Sequence, residues 1–281
     1  MPLLICSKNL ISYLNGVSKM VGFYWMGRFI SLYGVMIAVG VLIAGFIGFR
    51  LTIRHGLSEN WFFLFLAYAL GGGLLGSKLL FLLINSGEIQ WSRILEPDYL
   101  VQVMQGGFVF YGGVIGGVLM LLLGNVIHRQ PVLKYVEAVI PCLPIAHAFG
   151  RIGCHFASCC YGIPYEGPFH IIYHAPAFAP VEIPLFPVQL LEAALNLILA
   201  ACLLLYVLRK GCTVNSIAIY GISYGILRFF LEYLRYDAEE RGGFLIFSTS
   251  QWISIFIVLT VLIVRPFVAG WEKKAAAETS P

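Results

Sequence analysis

Seven apolar runs fill most of this chain, at about 30–49, 61–84, 108–127, 132–149, 187–208, 216–235 and 246–265. Each is near the ~20 residues that cross the hydrocarbon core of a bilayer as a helix. A water-facing fold is excluded by composition. With 59% hydrophobic and only 11% charged residues, it would expose large sticky patches. In lipid each segment must satisfy its own backbone polar groups, and the alternation that marks barrel strands is absent, so the spans are helices. The sequence predicts an all-α polytopic membrane protein with seven transmembrane helices. The first run is too long and too far from the N-terminus for an ordinary cleaved signal peptide, and is expected to stay in the mature protein.

The short loops alternate in charge. Arg50, Arg54, Arg129, Lys134, Arg209, Lys210, Arg265, Lys273 and Lys274 fall on one side; Glu88, Glu96, Asp98, Glu166, Glu182, Asp237, Glu239 and Glu240 fall on the other. Basic loops stay in the cytoplasm, so the N-terminus is expected outside and the C-terminus inside. The expected organisation is an N-terminal extracytoplasmic or interfacial segment at 1–29 and a seven-helix domain at 30–265. That domain carries a small irregular extracytoplasmic lobe at 150–186, and a cytoplasmic tail follows at 266–281. The net charge of +4 follows from this loop bias and calls for no nucleic-acid partner. The chain has no Walker loop, dinucleotide fingerprint, heptad array or internal repeat.

Ionisable side chains at membrane depth are costly and tend to face a cavity or a partner. Lys78 lies in GGGLLGSKLLFLLIN, Glu192 in FPVQLLEAALNL, and Arg228 and Glu232 in YGISYGILRFFLEYLR. Arg228 and Glu232 are four apart on one helical face. That spacing fits a local ion pair, and equally fits a guanidinium held in place for a ligand. Tyr224, one turn earlier, extends the polar stripe. Glycine-rich stretches add two further hydroxyls: GGFVFYGGVIGG at 106–117 surrounds Tyr111, and SLYGVM at 31–36 holds Tyr33. Gly112, Gly113, Gly116 and Gly117 fit close helix packing, and also a ligand approaching the backbone near Tyr111.

At 147–162 the greasy chain turns polar and reads HAFGRIGCHFASCCYG. Three readings stay open. Cys154, His155, Cys159 and Cys160 are zinc-ligand types, but structural zinc favours C-x2-C pairs, and the adjacent Cys159 and Cys160 are expected to point apart; no metal is assigned. Cys154 could instead pair with Cys159 or Cys160 in a disulfide on an oxidising face. Arg151, flanked by Gly150 and Gly153, could hold an anion in a flexible, wrapped backbone.

This stretch also resembles the signature of the prolipoprotein diacylglyceryl transferases, Gly-Arg-x-Gly-Asn-Phe-x-Asn-x-Glu-x-x-Gly, with Gly150, Arg151, Gly153 and Gly162 in register. SLYGVM, GGFVFYGGVIGG, FPVQLLEAAL, YGILRFFLEYLRYD and STSQWIS resemble further elements of that family, in family order, from about residue 31 to 265. Seven spans with an outer N-terminus is the family topology. The chain departs from the family pattern at Cys154, Ala157 and Cys159, which stand where the signature has Asn, Asn and Glu. Tyr111 and Phe186 stand for His, and Lys78 for Arg. A branch of the family reads Gly-Cys-Phe-x-x-Gly-Cys-Cys-x-Gly here, which is closer.

The resemblance implies an enzyme of the bacterial cytoplasmic membrane. It moves the diacylglyceryl group of phosphatidylglycerol to the lipobox cysteine of a prolipoprotein signal peptide and releases glycerol 1-phosphate. Its partners would be phosphatidylglycerol, prolipoprotein signal peptides and membrane lipids, with no cofactor. Arg151 and Arg228 match the family arginines that bind phosphate and headgroup. Tyr33, Tyr111 and Tyr224 would bind headgroup or ester oxygens, with Tyr111 a proton relay and His155 a candidate base. Glu232 would orient Arg228, while Gln189 and Glu192 line the cavity. Lys78, Gly112, Gly113, Gly150, Gly153, Cys154, Cys159 and Gly162 complete the expected substrate-binding set. A paralogue with another donor or acceptor, a non-catalytic lipid-binding protein and a redox protein using the three Cys are the alternatives.

Overall fold

The computed structural model describes residues 21–105, 107–211, 213–236, 243–244 and 246–279. Expectations placed on 1–20, on Gly106 and on Asp237, Glu239 and Glu240 lie outside the described residues. A hairpin of β1 (Gly22–Trp25) and β2 (Arg28–Ser31) leads into α1 (Leu32–Arg54), where the Ser31 hydroxyl accepts from Gly34 N at 3.3 Å and caps the helix. Then follow α2 (Glu59–Ile84), α3 (Pro97–Gln105), α4 (Phe110–His128), α5 (Val132–Val139) and α6 (Cys142–Phe156). An irregular lobe holds the short antiparallel pair β3 (Ile171–Ile172) and β4 (Pro184–Leu185). The chain ends with α7 (Val188–Lys210), α8 (Val214–Leu231), a second short pair β5 (Gly243–Phe244) and β6 (Phe247–Ser248), and α9 (Thr249–Thr279).

Among the described residues six helices, α1, α2, α4, α7, α8 and α9, are long and apolar enough to cross a membrane, and the bent pair α5–α6 makes a seventh. The chain is a multi-pass membrane protein. Large apolar side chains such as Leu42, Val126 and Phe256 point outward, while Arg151, Glu192, Asn196, Arg228 and Glu232 are buried. That is the arrangement expected when lipid replaces water as solvent.

Two boundaries differ from the sequence reading. The span expected at 132–149 runs on to Phe156 and bends by 53° between α5 and α6. Pro141 explains the bend, since it has no N–H to offer the Glu137 carbonyl and its ring crowds that oxygen. The Ser216 hydroxyl of α8 lies 3.3 Å from the released carbonyl and shares its one proton between it and Thr213 O at 2.7 Å. The lobe expected from residue 150 begins at Ala157, because 150–156 remain helical. At the C-terminus α9 continues past Arg265 to Thr279 without a break.

The most extensive helix interface is α2 with α4, followed by α1 with α6, α8 with α9 and α6 with α7. Glycines set the first contact. A Cβ on Gly116 would overlap the Gly72 carbonyl oxygen, and one on Gly76 would overlap that of Gly112. Without a hydrophobic force between helices in lipid, such backbone approach supplies the packing energy. Gly116→Ala is therefore expected to cost about 1–3 kcal/mol of stability, read as a lower thermal midpoint in detergent. Gly71→Ala, where a Cβ meets open space, is the control and should not lower it.

Candidate active site

Arg151 lies on the last turns of α6, one face of which packs on α7. Its Nε donates to His147 Nε2 at 3.2 Å and lies 3.1 Å from Glu192 Oε1 on α7. His147 Nε2 is itself 3.5 Å from that carboxylate oxygen. His147 and Arg151 are four apart on one helix, so both meet Glu192 from the same face. Since the guanidinium can only donate, Nε2 accepts and the imidazole is neutral, with its proton on Nδ1. Asn196 Nδ2, one turn along α7, donates to the Glu192 carbonyl at 2.8 Å. Glu192 is 1% exposed; a carboxylate so enclosed requires cationic partners.

A second buried pair stands on α8. Arg228 Nη1 lies 2.7 Å from Glu232 Oε2, and its Nη2 donates to Ser250 Oγ at 3.1 Å. Glu232 accepts from Ser248 Oγ at 2.8 Å, and Ser248 N donates to Gln251 Oε1 at 3.0 Å. The start of α9 thus holds both ends of the pair. Tyr224, one turn before Arg228, packs edge-on against the His147 ring at 5.1 Å between centroids and stacks on Tyr220 at 5.8 Å. Arg151 is the chief cation beside Glu192, with Arg228 and Arg235 further off. Arg151 and Arg228, each paired with a carboxylate, are thus buried guanidinium groups, with Arg235 buried beyond them. Guanidinium groups fixed in a water-poor interior are suited to binding an anion.

The other expected residues divide. Phe110, next to Tyr111, stacks with His147 at 6.4 Å and brings the start of α4 to this cluster. Tyr33 packs on Gly153, where a Cβ would come within 3.1 Å of the ring. Gly112 and Gly113 face Gly76 and Ser77 of α2, so helix packing explains them. Lys78 donates to Val103 O at 2.7 Å and Met104 O at 3.2 Å and lies over the Phe81 ring, holding the last turn of α3. Gly150 and Gly153 are helical, which corrects the expectation of a backbone wrapped around an anion: the guanidinium itself is the donor here. Gly162 is hemmed in by the Phe186 and Leu234 carbonyls and bridges to Arg235, tying the lobe to the end of α8.

The cysteines also correct the sequence reading. Cys159 and Cys160 do not point apart; their Sγ atoms and that of Cys154 all lie within 4.8 Å of one another. The cause is the left-handed backbone at Ser158 (φ 51°) and Cys160 (φ 57°). None of the three is in a disulfide.

His155 forms a separate group. Its Nδ1 lies 3.1 Å from Tyr173 OH, which accepts from Gln189 Nε2 at 3.4 Å; the same Gln189 nitrogen donates to Cys159 O at 2.9 Å. Burial pushes the Tyr173 phenol up to about 12, against a smaller opposing effect of the Gln189 hydrogen bond. An unfolded Tyr titrates near ~10, so the folded state holds this proton more tightly. The stability this contributes is complete below about pH 10 and is lost as pH rises towards 12. Thermal unfolding across that range should therefore fall less steeply for Tyr173→Phe than for the parent.

Sequence reasoning missed His147, Asn196, Tyr173, Arg235, Ser248, Ser250 and Gln251. His147 was legible as the residue one turn before Arg151 on the same helical face. The serines and Gln251 sit in STSQWIS, whose role is set by its docking on α8 rather than by its own pattern.

Residues 21–265 match the sequence profile of the prolipoprotein diacylglyceryl transferase family. The phosphatidylglycerol–prolipoprotein diacylglyceryl transferase 2 of Clostridium perfringens is 34% identical over 234 residues, covering 83% of this chain and 89% of the relative. The phosphatidylglycerol–prolipoprotein diacylglyceryl transferase of Clostridium tetani is 34% identical over 241 residues, covering 86% and 94%. That of Finegoldia magna is 28% identical over 254 residues, covering 87% and 94%.

Proposed function

Since this chain belongs to the prolipoprotein diacylglyceryl transferase family, we infer that it carries out the family's reaction, the first step of lipoprotein maturation. The diacylglyceryl group of phosphatidylglycerol passes to the lipobox cysteine of a prolipoprotein. The acceptor sulfur forms a bond to the glycerol carbon that bears the phosphate, the carbon–oxygen bond breaks, and glycerol 1-phosphate departs with the electron pair. A thioether remains. The enzyme works in the bacterial cytoplasmic membrane with its N-terminus and the lobe 157–187 on the outer face, an orientation supported by the basic residues that gather on the opposite loops.

The observation that carries the assignment of roles is the burial of two guanidinium groups, Arg151 and Arg228, each aimed by a buried carboxylate. Charge builds on the phosphate as the bond breaks, and fixed donors in a low-dielectric site stabilise it without reorganising. Arg151 and Arg228 take the phosphate and headgroup. Glu192 and His147 aim Arg151; Glu232, Ser250 and Ser248 aim Arg228. Tyr224, Tyr33 and Tyr111 line the lipid path. A phosphate drawing the Arg151 N–H away from His147 frees Nε2 to take the acceptor's proton, with Glu192 beside it to stabilise the imidazolium. On this reading the base is His147, on the Arg151 face, rather than His155, whose Nδ1 is engaged by Tyr173.

Depletion of a host's own diacylglyceryl transferase tests the activity. Expression of this chain is expected to restore growth and thioether formation on a lipobox reporter. Membrane-inserted protein that restores neither would overturn the reading.

A further inference from the structure

The three sulfurs at the junction of α6 and the lobe have no part in the chemistry above, yet the backbone is bent to gather them. Cys154, Cys159 and Cys160 place their Sγ atoms within 4.8 Å of one another. Adjacent residues in regular backbone send their side chains apart. Here two non-glycine residues, Ser158 and Cys160, hold left-handed φ values of 51° and 57°, an unfavourable conformation that persists only where the surroundings enforce it. Three elements enforce it. Cys159 N donates to Cys154 O at 3.0 Å, Gln189 Nε2 of α7 donates to Cys159 O at 2.9 Å, and Ser158 Oγ accepts from Ala177 N of the lobe at 2.8 Å.

We propose that Cys154, Cys159 and Cys160 form a three-thiolate zinc site whose open fourth position binds the acceptor cysteine of the prolipoprotein. Zinc–sulfur bonds of ~2.3 Å in tetrahedral array set the sulfurs about 3.8 Å apart, within the spread already present. No His, Asp or Glu atom joins the set among the described residues, and an all-sulfur donor set selects soft ions. Three protein ligands and a vacant corner are the arrangement of catalytic rather than structural zinc. Cys159 is buried, while Cys154 and Cys160 are partly exposed.

The inference rests on the transferase reading for its second ligand. A thiol that coordinates zinc is held as thiolate, its proton released to solvent as the metal binds it. The zinc-bound sulfur then forms the bond to the glycerol carbon while the phosphate oxygen leaves with its electron pair. Arg151 stands one turn before Cys154 on α6. It would balance the negative charge of the thiolate complex and bring that complex next to the phosphate site.

The test replaces zinc by Co2+ in the full-length protein, purified in detergent under a non-thiol reductant, and needs no turnover. Expected are one Co2+ per chain with thiolate-to-metal charge-transfer absorption, and a gain and shift of that absorption on adding a lipobox peptide. The peptide with its Cys replaced by Ser should cause no shift. Cys160→Ser should weaken Zn2+ binding by more than ~10²-fold, while Cys202→Ser, at an exposed thiol outside the cluster, should leave it unchanged. Size-exclusion profiles establish that the variants are folded. Absence of the thiolate band, or its persistence in the triple Cys154→Ser/Cys159→Ser/Cys160→Ser variant, would overturn the site. A band that ignores the peptide would overturn the acceptor role. Failure of complementation would sink the transferase reading and leave the metal result standing, so the two failures are distinguishable.

Discussion

Arg151→Lys is expected to slow diacylglyceryl transfer by on the order of 10²–10³ while the protein remains folded in the membrane. Lysine keeps the positive charge opposite Glu192, so the buried carboxylate is not abandoned. It loses the planar fork that meets His147 and Glu192 through Nε and leaves the terminal nitrogens for a phosphate. Because the phosphate gains charge only as the bond breaks, the loss should fall mainly on kcat, with a smaller change in KM for phosphatidylglycerol. Release of glycerol 1-phosphate from a lipobox peptide reaction in detergent measures it. A variant within tenfold of the parent would remove Arg151 from the phosphate site.

Glu232→Gln is expected to be the most damaging single change to stability, by about 3–5 kcal/mol. Glu232 is 3% exposed, lies 2.7 Å from Arg228 and accepts from Ser248. Removing its charge leaves the Arg228 guanidinium buried with Ser250 as a neutral partner, and an uncompensated interior charge is costly. The double variant Arg228→Gln/Glu232→Gln should recover much of the lost thermal midpoint, because no buried charge is then stranded, but should recover no activity. A midpoint for Glu232→Gln that matches the parent would contradict the enclosed pair.

Some of the site was legible because its partners are close in sequence. Arg228 and Glu232 are one turn apart, and helical geometry alone brings them together. The same rule reaches His147 from Arg151. It does not reach Glu192, which meets Arg151 only because α6 and α7 pack face to face, nor Ser250, which meets Arg228 because the start of α9 docks on α8. Lys78 shows the opposite case: its depth in an apolar run suggested a ligand, and the fold uses it to hold the Val103 and Met104 carbonyls.

What the sequence by itself determined is what depends on the solvent and on local periodicity. The apolar runs require helices in lipid, since the backbone can satisfy itself no other way there, and their lengths fix the number of crossings to within the one that Pro141 bends. What only the tertiary structure decided is which buried polar groups meet and where the sulfurs point. Helix packing places Glu192 against Arg151, and two left-handed residues turn Cys159 and Cys160 towards Cys154. Both are properties of side-chain direction, which a linear pattern leaves open until neighbouring elements constrain it.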